Sequence, residues 1–220
     1  MFKRSTTYLL SVILTVLLSF ILYTSPSQAD SANDLHKKFL DKYSKELHKI
    51  ENYLQSIQYL EASFIQESSE GTIVEGKFYL SRPGKMRIEY NEPSKILIIV
   101  NGRVMSYQDL ELEETSYLTT NSTPASFLVR KKISFDAKDV QITDFKKDQD
   151  FISVSVIKKN KKEAGEFSLI FKQNPLEFVR MEVKNDMEQT IIVSFTNATF
   201  GEAIDNKLFT IENNKLPSDF

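Results

Sequence analysis

The side chains best equipped for chemistry in this chain are two histidines, His36 and His48, and thirty aspartates and glutamates; cysteine is absent. Without Cys there is no disulfide, no thiolate metal site, no thiol nucleophile and no lipid-modified N-terminal cysteine. The two histidines stand twelve residues apart in a stretch of helical periodicity. That is more than three turns, so they cannot share a ligand, and both are expected as solvated helix residues. No G-x-S-x-G, H-E-x-x-H or phosphate-cradling glycine loop occurs, and six glycines leave little room for one. Among the carboxylates, Glu111, Glu113 and Glu114 fall in a hairpin, while Glu89, Glu166 and Glu182 alternate with apolar residues as solvent-face positions do. The chain therefore reads as a non-enzyme without cofactor or metal, and a hydrolase using surface carboxylates is the weaker alternative. Asn121-Ser122-Thr123 and Asn197-Ala198-Thr199 match a glycosylation sequon that has meaning only in a host with that machinery.

The 220 residues are 41% hydrophobic and 26% charged, the mix of one folded globular domain rather than a disordered chain. With 28 Lys and Arg against 30 acidic residues there is no basic stripe for phosphates, which argues against a nucleic-acid partner. Lys3 and Arg4, an apolar run from Tyr8 to Tyr23 and the small-x-small end Ser27-Gln28-Ala29 read as a signal peptide, residues 1–29, cut after Ala29. The lone Lys-Arg pair lacks twin-arginine context, so general secretion is expected. The mature chain, 30–220, loses two cations and no carboxylate, taking the net charge from −2 to −4. Electrostatic attachment to an anionic membrane is then not expected.

Leu35, Phe39, Leu40, Tyr43, Leu47, Ile50, Leu54 and Ile57 recur at three- and four-residue steps and predict one long helix, capped by Asn33 or Asp34. From Leu60 the period becomes two. Strands follow through Phe64, Gly76–Leu80, Met86–Tyr90, Ile96–Val100 (apolar throughout and so buried on both faces), Val104–Tyr107 and Thr115–Leu118. Arg82-Pro83-Gly84 is a turn, and Asn101-Gly102 is a two-residue hairpin loop. Thr123 and Pro124 signal the start of a short helix over Ala125–Val129. Strands resume at 140–145, 151–157, 166–172, 178–183 and 190–200, with a last one at 207–211. About eleven strands with short connections predict an antiparallel meander, large enough to curl or split.

Phe78, Leu80, Met86, Ile88 and Tyr90 make a dense apolar face on consecutive strands, and Phe167, Leu169 and Phe171 continue one later. Such a face is either ordinary core or the wall of a hollow. Arg82 shares the parity of Phe78 and Leu80, so a cation is aimed at the apolar side. It must either snorkel to water or reach oxygens of a covering helix.

In order along the chain, Ala62-x-Phe64-x-Gln66, Gly76-x-Phe78-x-Leu80-x-Arg82-Pro83, Met86-Arg87-Ile88-Glu89-Tyr90-x-x-Pro93, Ile98-Ile99-Val100-Asn101-Gly102, Thr123-Pro124-x-x-Phe127-Leu128 and Leu208-Phe209 resemble the LolA family of periplasmic lipoprotein carriers. The resemblance spans about Asp34 to Ile211. It implies a mainly β (α+β) fold: an unclosed, strongly curved antiparallel β-barrel, with a long N-terminal helix and short lid helices over a hydrophobic cavity. It implies a monomeric periplasmic chaperone that takes acylated lipoproteins from an inner-membrane ABC-type release complex and hands them to an outer-membrane lipoprotein receptor. The family's arginine before proline falls on Arg82, which would latch the lid. Acyl chains would lie against Phe64, Phe78, Leu80, Met86, Ile88, Tyr90, Phe127, Leu128, Phe167 and Phe171. Met86 and Ile88 stand where the family carries aromatics. A lipid- or lipoprotein-sensing domain of similar fold is the alternative within this resemblance.

Overall fold

The computed structural model describes residues 28–123, 125–159, 165–185 and 187–211. Most of the signal-peptide segment, Pro124, part of the 158–165 connection and Asp186 lie outside the described residues. The leading apolar stripe forms two helices rather than one, α1 (Gln28–Lys42) and α2 (Ser44–Ser56). The helical backbone begins upstream of the expected Asn33 or Asp34 cap. The break falls at Tyr43, whose φ of −114° and ψ of 24° leave the helical region. Its flanking bonds survive, Tyr43 N–H to the Phe39 carbonyl at 3.0 Å and Leu47 N–H to the Tyr43 carbonyl at 2.9 Å, so the stripe bends without losing its inward side. The bend lets the Tyr43 ring stack on Phe145 at 3.9 Å between centroids.

Eleven strands follow: β1 (Tyr59–Ser68), β2 (Ile73–Ser81), β3 (Lys85–Tyr90), β4 (Ile96–Asn101), β5 (Val104–Asp109), β6 (Glu114–Thr119), β7 (Val140–Lys147), β8 (Phe151–Lys158), β9 (Glu166–Gln173), β10 (Leu176–Lys184) and β11 (Thr190–Phe200). They form one antiparallel sheet in the order β6-β5-β4-β3-β2-β1-β11-β10-β9-β8-β7, with β1 against β11 joining the two meanders. Irregularities in the β1/β11, β9/β10 and β7/β8 pairings add local bends, which help so wide a sheet to curl. A helix α3 (Ala125–Leu128) lies in the connection between β6 and β7. Since those two strands are opposite edges, the connection must run from one edge of the sheet to the other. It does so over the concave side, roofing the space beside α1 and α2.

Three local expectations change. The predicted last strand, 207–211, is instead a 3₁₀ turn at Asn206–Phe209, because the Asp205 carboxylate takes the Lys207 N–H and bends the chain locally. The β4–β5 loop is Gly102-Arg103, one residue later than expected. Asn101 still pairs with Val104, and Gly102 supplies the positive φ of 62°. The Thr123 hydroxyl donates to the Thr120 carbonyl at 2.9 Å rather than capping α3.

Alternation separates two apolar clusters. The larger lies between the concave face and the helices. The smaller joins Ile99 to Phe209 and Ile211 on the convex side. β4 is accordingly buried on both faces where Ile99 and Val100 stand, as its wholly apolar sequence requires.

Candidate functional site

The concave face is assembled by register. Leu60, Ala62 and Phe64 of β1 oppose Leu80, Phe78 and Gly76 of β2, which oppose Met86, Ile88 and Tyr90 of β3. From the other half, Phe167, Leu169 and Phe171 of β9 join the same cluster. All ten expected lining residues therefore belong to one continuous apolar surface. Phe64, Phe78, Leu80, Met86, Phe127, Leu128, Phe167 and Phe171 are buried, and Ile88 and Tyr90 are half-buried. Their own side chains fill the space that the sequence reading assigned to a hollow. Phe78 contacts Phe195, which contacts Phe178, at centroid separations of 5.0 and 5.2 Å. A groove of about 1020 Å³ lies along α1, α2 and residues 131–136, with polar Lys37, Asn52 and Lys132 on its walls.

Arg82 takes the second of its two sequence outcomes. Nε and Nη2 donate to the Arg130 carbonyl at 3.1 and 2.6 Å, and Nη1 donates to the Leu54 carbonyl at 2.5 Å and, at 3.4 Å, to that of Ile57. One guanidinium thus joins the C-terminal end of α2, where helix carbonyls lack intrahelical partners, to the β6–β7 connection. Burial pulls the arginine's pKa down, and the ring of carbonyls supplies the partners a half-buried cation needs. Beside it, the Gly84 N–H donates to the Val129 carbonyl at 2.8 Å.

Sequence reasoning missed what binds the two parts of the cover to each other. The Gln55 amide donates to the Lys131 carbonyl at 2.8 Å and accepts from the Ile133 N–H at 3.0 Å. Glu51 accepts from the Phe135 N–H at 2.7 Å. Arg130 is held by Asp139 at 2.7 Å and lies over the Phe127 ring at 5.3 Å. Positions 51 and 55 share a helix face, the only sequence signal available, and their partners are backbone groups that no side-chain pattern reveals.

His36 corrects the solvated-helix expectation; His48 remains exposed, with Nδ1 at 2.7 Å from the Ser44 carbonyl. The His36 side is only 6% exposed, and Nδ1 accepts the Ile142 N–H of edge strand β7 at 3.0 Å. An edge-strand donor would otherwise be orphaned under α1, so a neutral imidazole is what the site requires. Burial, helped by nearby Lys159 and opposed by Asp136, lowers its pKa. The unfolded chain therefore takes up the proton first as pH falls. The stability from neutral His36 is fully present above about pH 6.5, the unperturbed value, and is lost as pH falls toward the depressed folded value. Urea denaturation at pH 7.5 and 5 should show this acid loss in the native protein and a smaller one in His36→Gln, which keeps an acceptor without the titration. Equal pH dependence in the two would exclude the role.

The carboxylates considered for hydrolysis are dispersed. Glu89 pairs with Arg87 at 2.9 Å, Glu166 accepts from Thr143 at 2.5 Å, and Glu111 and Glu113 are exposed in the β5–β6 turn. Among the described residues no cluster of three or more His, Asp or Glu is placed to hold a metal, and no helix is long and apolar enough to cross a membrane.

Comparison with known proteins matches residues 55–212 to the family model described as outer membrane lipoprotein carrier protein LolA. The chain is 26% identical over 170 residues to an outer-membrane lipoprotein carrier protein of Methylococcus capsulatus (strain ATCC 33009 / NCIMB 11132 / Bath), covering 73% of this chain and 80% of that one. It is 23% identical over 170 residues to an uncharacterised protein of Rickettsia prowazekii (strain Madrid E), covering 77% and 78%. Among solved structures it is similar to a LolA superfamily protein of Nitrosomonas europaea, at 9% identity and a TM-score of 0.45 over 75% of this chain and 97% of that one. It is also similar to a putative outer membrane lipoprotein-sorting protein domain of Vibrio parahaemolyticus, at 8% identity and a TM-score of 0.45 over 74% and 94%.

Proposed function

The chain belongs to the LolA family of outer membrane lipoprotein carrier proteins, and from that premise we propose that it is a periplasmic carrier that shelters lipoprotein acyl chains between its curved sheet and its helical cover. Residues 1–29 serve as the signal peptide that exports it. Cargo comes from an inner-membrane ABC-type release complex and leaves to an outer-membrane lipoprotein receptor. The observation that carries this reading is the way the cover is held. A continuous apolar wall is roofed by helices that a half-buried Arg82 ties down through backbone carbonyls. Hydrogen bonds of this kind can be exchanged for others without unfolding the sheet.

The energetics favour such a device. Each CH₂ withdrawn from water is worth about 0.8 kcal/mol, so a lipoprotein with two or three acyl chains does not cross an aqueous space unaided. A permanently open hollow would bind too tightly to release without an energy source. A hollow that closes on itself returns part of that free energy when cargo leaves, because opening the cover is subtracted from the affinity. Flexible Met86 and the rings of Phe64, Phe78 and Tyr90 are suited to repacking around chains of different shape. Arg82 acts as the latch, and the ten lining residues form the wall that the chains touch once the cover lifts.

The test is extraction of membranes carrying a tagged lipoprotein with the purified mature protein, followed by native mass spectrometry. A stoichiometric soluble complex is the expected result. Lipoprotein that stays wholly in the membrane fraction, even with the release complex and ATP supplied, would count decisively against the carrier role.

A further inference from the structure

The concave face changes character at one end. Inward positions of β1 run Leu60, Ala62, Phe64 and then Gln66. The Gln66 Oε1 atom accepts a 2.7 Å hydrogen bond from the Tyr90 hydroxyl. Tyr90 in turn meets the Phe64 ring edge-on, with centroids 5.3 Å apart and planes at 84°. Burial, with Tyr107 nearby and the Gln66 bond acting the other way, holds the Tyr90 phenol up at about 12, so this hydroxyl is a permanent donor near neutral pH. With Oε1 engaged, the Gln66 amide turns its two N–H donors elsewhere, and they donate to none of the described residues.

This end is exposed: β3 stops at Tyr90, one row short of Gln66, Ile73 beside the β2 partner Val74 is 65% exposed, and Tyr107, one row in from Tyr90, is 40% exposed. Arg82 closes the opposite end, two residues beyond the Leu80 that pairs with Leu60. From Gln66 to Leu60 is six residues of strand, about 20 Å. One acyl chain occupies half of a bilayer core about 30 Å thick, or roughly 15 Å. A chain whose linkage sits at Gln66 would therefore fit along β1 before reaching the latch. Neutral amide donors at the rim of an apolar wall match a neutral carbonyl oxygen on an alkyl chain; a carboxylate would call for a cation instead.

We propose that the Gln66 Nε2 amide is a binding site for the ester or amide carbonyl that links an acyl chain to its headgroup, fixing that linkage at the rim while the alkyl part enters the hollow. This rests on the carrier reading and adds the lipid class: acyl esters and amides over bare hydrocarbon.

Two fluorescent probes separate the two claims. One is a diacylglycerol bearing a pyrene-labelled chain, and the other is a pyrene-labelled alkane with no carbonyl. The mature wild-type protein should bind both. If it binds neither, the hollow and this site fall together. If it binds both, Gln66→Met, which keeps the bulk and removes the donors, should weaken the ester probe about fivefold and leave the alkane unchanged. Gln66→Glu, which still accepts from Tyr90 but offers no N–H, should do the same to the ester probe, and circular dichroism confirms that each variant is folded. Equal losses for both probes, or none for the ester, would overturn the assignment while leaving the carrier reading standing.

Discussion

Replacing Arg82 by leucine should convert a carrier that releases its cargo into one that retains it. The side chain makes four donations to three carbonyls on two separate parts of the cover. Hydrogen bonds from a charged donor are worth about 1.5–3 kcal/mol each. In the proposed cycle all of them favour the closed form, since lifting the cover would break them. Leucine removes them and leaves the Leu54 and Arg130 carbonyls less well satisfied in the closed state only. If even 1.4 kcal/mol of the closing free energy is lost, cargo affinity rises about tenfold. The half-time for transfer of a loaded lipoprotein to receptor-bearing vesicles should therefore lengthen by about tenfold or more. Amide exchange at residues 130–135 should accelerate in the empty protein at the same time. Arg82→Lys is the informative companion. It keeps the charge but presents one compact ammonium instead of a fork, so it can hold one part of the cover and not both. Its transfer time should fall between the two. Wild-type transfer in Arg82→Leu, with unaltered exchange, would show that Arg82 is merely a satisfied core cation.

How far the sequence carries this picture depends on which groups do the bonding. Period-two alternation in β1–β3 places Phe64, Phe78, Met86 and Tyr90 on one side, and the parity of Arg82 puts a cation among them; both survive because side-chain direction in a strand follows directly from position. The kink at Tyr43 is not legible in this way, since a stripe of apolar residues at helical spacing reads the same through a bend. Nor is the burial of His36. Its partner is a backbone N–H 106 residues away, exposed only because β7 is an edge and α1 lies over it. The Gln55 and Glu51 contacts fail for the same reason: their partners are main-chain groups of an irregular segment. The 3₁₀ turn at Asn206–Phe209 keeps Leu208 and Phe209 apolar, as a strand would, and only the Asp205 cap distinguishes them. A wall residue and a core residue also have the same composition. On the proposed function, whether Phe78 packs on protein or on cargo would be set by the position of the cover, which hydrogen bonds of the Arg82 type would hold.

Gly76 tests how the wall is built, and Gly76→Ala should cost about 3 kcal/mol of stability. Its backbone is not in the left-handed region, so glycine is not required there for its dihedrals. What it supplies is space. It stands between Phe64 on β1 and Tyr90 on β3, and a Cβ at this position would lie 2.6 Å from two atoms of the Phe64 ring and closer still to the Glu89 carbonyl. The ring could yield only by giving up its edge contact with Tyr90, and the Glu89 carbonyl belongs to the strand adjoining β2 and cannot swing away. Movement of the ring would tilt the wall beside Gln66. For a domain of this size the loss should lower Tm by roughly 10 °C, read by thermal or urea unfolding. Adding Phe64→Val to Gly76→Ala should restore part of that loss, because the smaller side chain vacates the collision, whereas Phe64→Val alone should destabilise. Gly71→Ala provides the contrast. A Cβ there meets nothing within 4 Å, so its cost is confined to the strain of a φ of 84°. If Gly76→Ala were no worse than Gly71→Ala, and Phe64→Val gave no rescue, the close approach of ring to backbone would not be what shapes this end of the wall.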